Sequence, residues 1–140
     1  MIMKHTIMSV LFGAGLLASG CSPHQKSDSV TLQGTWSGRQ LRIEHPCSLI
    51  ISGQNYEFQD DSDNNAWNKG TFTLREDTTP RQCVLTINDC HLPQLVGQTV
   101  MAIYKLDGDT LTMTWNAPGK PAAPTAFDAH GAACMELKRK

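Results

Sequence analysis

From residue 30 onward the chain alternates apolar and polar residues, and that period of two limits its fold more than any other feature. Successive strand residues point to opposite faces, so such alternation marks strands with one dry and one wet side. "DTLTMTWN" sets Leu111, Met113 and Trp115 against Thr110, Thr112 and Thr114. "KGTFTLRED" sets Phe72 and Leu74 against Thr71, Thr73 and Arg75, and "QCVLTIND" sets Leu85 and Ile87 against Val84, Thr86 and Asn88. "CMELKRK" sets Met135, Leu137 and Arg139 against Glu136, Lys138 and Lys140. With "LQGTWSGRQLRIE" (bent at Gly38), "CSLIISG", "QNYEFQD" and "TVMAIYKL", the predicted strands number eight. Asp107-Gly108 is the clearest hairpin signal, because a type I′ turn needs positive φ.

Eight short one-faced strands expose edges unless the sheet closes on itself. The expected fold is therefore an all-β, eight-stranded antiparallel up-and-down barrel, with a β-sandwich as the alternative. "NAPGKPAAPTAFDAHG", residues 116–131, carries three prolines and reads as an extended connection.

The N-terminus reads differently. Lys4 is followed by "IMSVLFGAGLLA", Ile7 to Ala18, an uncharged run too short to cross a hydrocarbon core about 30 Å thick as a helix. It fits the apolar region of a secretory signal. Leu17-Ala18-Ser19-Gly20-Cys21 then resembles the lipobox of bacterial lipoproteins, whose cysteine is joined to diacylglycerol and becomes the acylated N-terminus. Durable anchoring takes more than one chain, since each buried CH₂ contributes ~0.8 kcal/mol. The expected organisation is a signal over 1–20, lipidation at Cys21, a flexible tether over 21–30 and a barrel domain over 31–140. Ser22 after Cys21, rather than Asp, resembles lipoproteins of the Gram-negative outer membrane facing the periplasm.

Loss of Lys4 with the signal takes the formal charge from −1 to −2. No basic patch with interleaved aromatics occurs, which argues against nucleic acid. Cys47, Cys83, Cys90 and Cys134 remain, an even number in an exported chain, and the expectation is two disulfides rather than a metal site. A Cys83–Cys90 bridge is disfavoured, because an intervening straight strand separates the two too far. Cys47 with Cys134 or Cys90 is the favoured pairing, leaving Cys83 without a clear mate.

Across residues 32–140 the strings "LQGTW", "GTFTL", "AIYKLDGDTLTMTW", "PAAPTAF" and "ELKRK" resemble a small lipocalin-like domain family first described in planctomycete proteins. The chain departs from that pattern at Ala123-Pro124, where an Arg is usual, and in its four extra cysteines. The resemblance implies a lipocalin-like barrel and carries no assigned activity. Gly34-Thr35-Trp36 also matches the G-x-W signature of lipocalin-like barrels, whose first-strand Trp packs under a basic side chain of the last strand. Arg139 is the matching residue, so Gly34, Trp36 and Arg139 are the expected closure set.

No nucleophile elbow, HExxH or phosphate loop occurs, and His24, His45, His91 and His130 have no partner at motif spacing. Asp61, Asp63 and Asn65 begin like a calcium loop, but Ala66 and Phe72 stand where Gly and Glu are needed. No enzyme, metal or cofactor is expected. Candidate pocket residues are Tyr56, Phe58, Phe72, Leu111, Met113 and Trp115, at the barrel end away from Trp36. The expected function is that of an envelope lipoprotein, membrane-bound through its lipid, holding a small apolar ligand. The alternative is a filled barrel that meets an envelope protein. Cys21→Ala is expected to leave an uncut precursor that takes up no labelled palmitate; undiminished labelling refutes lipidation.

Overall fold

The computed structural model describes residues 27–140. The signal segment, Cys21 and most of the expected tether lie outside these residues. The tether's last part does not: Asp28–Thr31 forms a helical turn, α1, with Asp28 buried.

Eight strands follow: β1 (Gly34–Gln40), β2 (His45–Ser52), β3 (Asn55–Asp60), β4 (Trp67–Arg75), β5 (Arg81–Cys90), β6 (Thr99–Asp107), β7 (Thr110–Trp115) and β8 (Ala133–Arg139). Each pairs antiparallel with the next, and β8 pairs with β1, so the sheet is a closed barrel. A sandwich is excluded by that last ladder, which opposes Trp36 to Arg139 and Gly38 to Leu137. The first strand is shorter than its sequence pattern. Residues 41–44 alternate like a strand but turn, with Glu44 at φ 56°.

Two glycines let the barrel curl. A Cβ on Gly38 would lie 2.0 Å from the Glu136 carbonyl oxygen, and one on Gly70 would lie 1.8 Å from that of Thr86. Only glycine permits such close strand approach, and Gly70 adjoins the register shift between β4 and β5.

One end of the barrel is sealed. Leu32 and Trp36 are fully buried there with Phe72, Tyr104, Leu111 and Leu137. The Trp36 indole N–H donates to the Leu32 carbonyl at 2.9 Å. The Arg139 guanidinium lies 4.2 Å from the Trp36 ring centroid and donates to the carbonyls of Gln33 and Thr31. Gly34, at φ 118°, takes the chain from α1 into β1 beside that guanidinium. The Asp28 carboxylate accepts from Arg81 and from the Tyr104 hydroxyl, each at 2.7 Å, clasping α1 to β5 and β6. Burial, then the Asp28 contact, raises the Tyr104 hydroxyl far above its ordinary pKa, so it stays a donor.

The 116–131 connection is laid over the outside of the barrel. Phe127 accepts at its carbonyl from the Thr114 hydroxyl (3.1 Å), and its ring lies 4.7 Å from the Lys105 ammonium. The outward residues Ile103 and Thr114 are thereby wholly buried. Arg139→Ala is expected to destabilise the protein by about 3 kcal/mol, from a lost cation–π contact and two charge-assisted hydrogen bonds. Urea denaturation checks this; a loss below about 1 kcal/mol contradicts the seal.

Candidate functional site

Opposite the seal the barrel is not filled. A cavity of about 220 Å³ lies between the mouth and the core. Leu49, Leu85, Ile87, Val100, Met113 and Met135 provide most of its apolar wall, and Phe58, Tyr56 and Trp115 its aromatic part. These are the inward positions of strands whose other inward positions make the sealed core. Phe58 and Trp115 meet edge to face, with ring centroids 6.4 Å apart. Leu95, from a single 3₁₀ turn over Pro93–Leu95, overhangs the mouth with Pro118.

Of the six residues expected to line a pocket, Tyr56, Phe58, Met113 and Trp115 do so. Phe72 and Leu111 lie deeper, packed in the core around Trp36. Leu49, Leu85, Val100 and Met135 are lining residues that strand position could have supplied, since each is inward and on the mouth half.

The polar lining is sparse: Gln40, Asn68, His91 and the Tyr56 hydroxyl. Tyr56 donates to Asn68 Oδ1 at 2.8 Å. Burial, then the neighbouring Cys90 and Cys83, raises its pKa well above the usual phenol value. The His91 ring holds the Trp67 backbone through Nδ1, 2.9 Å from its carbonyl oxygen.

Behind Gln40 lies a group that the sequence did not single out. Asp60, only 3% exposed, closes β3 at the mouth. It accepts from the Ser62 backbone N–H at 2.8 Å and from Gln40 Nε2 at 3.3 Å, and its carboxylate is 3.0 Å from His45 Nδ1. Burial alone would raise its pKa, but hydrogen bonds from Ser62 and His45 and the charge of His45 overcome it and hold the carboxyl at about 2. Ser62 Oγ is also 3.2 Å from His45 Nδ1. Serine and aspartate thus share one ring nitrogen, whereas a nucleophile–base–orienter chain needs both. The cluster ties the 60–65 loop to the rim. Asn65, at φ 48°, completes that turn and accepts from Gln59 at 2.7 Å.

The expected disulfides are absent: Cys47, Cys83, Cys90 and Cys134 are all buried free thiols. Cys47, Cys90 and Cys134 do fall on the mouth half, but they do not converge. Cys47 points inward on β2 and Cys90 lines the cavity from β5, with β3 and β4 between them. Cys134 is on the outward face of β8, opposite Thr114. Burial, then Asp61 and Asp60, pushes the Cys47 thiol up to about 12, and burial pushes Cys83 to about 12. Both stay protonated at neutral pH. Among the described residues no group of three or more His, Cys, Asp or Glu side chains is placed to hold a metal ion.

No protein-family model, curated protein or solved structure matches the chain. Because the Asp60 pKa is depressed in the folded state, its contribution is fully present above the ordinary carboxylate value near 3.8 and is lost as pH falls toward about 2. Asp60→Asn is expected to lower stability by about 2 kcal/mol at neutral pH and to flatten the acid limb between about pH 4 and 2. An unchanged acid limb in pH-dependent urea titrations contradicts this reading.

Proposed function

We propose that the chain is a non-catalytic binding module: a lipid-anchored lipoprotein of the bacterial envelope whose barrel holds one small apolar ligand. The single observation that carries the binding part is the apolar cavity of about 220 Å³ at the unsealed end. Pockets that bind small molecules are mostly apolar, with a few polar groups that set orientation. This one has that composition. A barrel filled to both ends would have left only its outer surface for recognition.

The anchor is supported by the sequence alone, through the uncharged run ending in Leu17-Ala18-Ser19-Gly20-Cys21. The described chain begins at the sealed end, beside Asp28, so the tether joins the barrel opposite its mouth. The lipocalin-like resemblance of residues 32–140 agrees with the same reading, and the outer membrane facing the periplasm is the proposed location.

Xenon enters apolar cavities and provides the test. After residue 8 the chain's methionines are Met101, Met113 and Met135. Met113 and Met135 line the cavity, while Met101 belongs to the outward face of β6 opposite Val84. Xenon dissolved with the mature protein is expected to shift the methyl resonances of Met113 and Met135 and leave Met101 in place. No shift at either cavity methionine sinks the binding reading.

A further inference from the structure

The cavity's size and lining narrow the ligand further, on the reading that the cavity binds one. We infer that it takes a neutral molecule the size of one aromatic ring with a short hydrogen-bonding substituent, and excludes both anions and long acyl chains.

Volume sets the first limit. An apolar cavity of about 150 Å³ takes one benzene ring. Scaled to about 220 Å³, the limit is about nine non-hydrogen atoms. A long acyl chain has about twice as many atoms and cannot be buried whole in that volume. The sealed half is closed to it by Trp36, Leu111 and Leu137, all without solvent exposure.

Charge sets the second limit. Among the described residues no Lys, Arg, Asp or Glu lines the cavity, and its one histidine, His91, engages the Trp67 backbone through Nδ1. A ligand carboxylate would enter an apolar wall without a countercharge, which carries a large desolvation cost. Behind Gln40 stands the Asp60 carboxylate, shared with His45 and bonded to the Gln40 amide nitrogen. That bond leaves the Gln40 carbonyl oxygen with no partner among the described residues, and the Tyr56–Asn68 bond leaves the Asn68 amide nitrogen likewise. The site thus offers a neutral acceptor at Gln40 and a neutral donor at Asn68, beside the His91 ring. A hydroxyl or an uncharged amide can pair with either. A carboxylate cannot pair with the Gln40 acceptor.

Shape sets the third. Three of the wall residues are aromatic, and the edge-to-face Phe58–Trp115 pair presents ring surfaces against which a flat ring packs in the offset or edge geometries that aromatic pairs favour. Leu85, Ile87 and Val100, against which Trp115 packs, continue the apolar lining beside these rings.

The test uses the mature protein with isotope-labelled methionine methyls at neutral pH, titrated separately with benzyl alcohol, benzoate and 1-dodecanol. Benzyl alcohol is expected to shift Met113 and Met135 saturably and leave Met101 unmoved. Benzoate is expected to bind at least tenfold more weakly, and 1-dodecanol to leave both cavity methionines unshifted. Benzoate binding as tightly as benzyl alcohol overturns the charge argument. Saturable shifts of Met113 and Met135 with dodecanol overturn the size argument. Silence toward benzyl alcohol in a protein that still admits xenon overturns the ligand class while the cavity reading stands. Silence toward xenon as well overturns the binding reading itself.

Discussion

The pairing of β8 with β1 is the constraint from which the rest of the structure follows, and Arg139 is where it is secured. An open eight-stranded sheet of this composition would present two unpaired edges and a wet apolar face. Closure removes both. Yet the seam joins the first and last strands of the described residues, where a ladder left to itself frays. Arg139 prevents this by contacting three things at once: the Trp36 ring, the Gln33 carbonyl and the Thr31 carbonyl. It joins the last strand to the first and to the helical turn that plugs the end. Asp109, its one carboxylate partner among the described residues, is 84% exposed and contributes little by comparison.

Sealing one end decides what the other end can be. The inward positions form one continuous set, and α1 with Leu32 covers them at the foot. At the mouth no equivalent plug exists among the described residues. The inward positions there are Gln40, His45, Asp60 and Asn68, polar groups that bond to one another or to backbone rather than fill space. The aperture is thus held open by a hydrogen-bonded rim, and the cavity lies between that rim and the core.

Much of this was legible in the amino-acid order. Alternation in β7 and β8 and through most of β4 and β5 made strand number and facing readable, edge removal favoured closure over a sandwich, and the Trp36–Arg139 pair came from the resemblance to the G-x-W signature. Other features were not local. Leu41 and Ile43 alternate with Arg42 and Glu44 as a strand would, but Glu44 adopts φ 56° and the chain turns. Asp28 sits in a polar stretch with no periodicity, and its burial depends on Arg81 and Tyr104, 53 and 76 residues away. Asp60 looks like one more acid of a solvated loop, and only its strand-end position makes it inward. For the cysteines, an even count in an exported chain favoured bridges, but a count is blind to facing. Cys134 takes the outward parity of β8, and the irregularity at Lys69/Gly70 changes which residues of β5 face inward beyond it.

The cavity also bears on the stability of the barrel. An apolar space left unfilled forgoes the packing contacts that larger side chains would supply. Domains of this size hold only about 5–15 kcal/mol of net stability. Larger side chains at Val100 or Leu85 would reach into the space, since both line it. A barrel that keeps the void therefore sacrifices stability that simple substitutions could recover. The sealed half makes this tolerable: the Asp28 clasp, the Trp36–Arg139 contact and the strap over Ile103 and Thr114 concentrate stabilising contacts away from the mouth. Stability and recognition are thus separated along the barrel axis, and residues at the mouth are free to answer to a ligand's shape instead of to the core's.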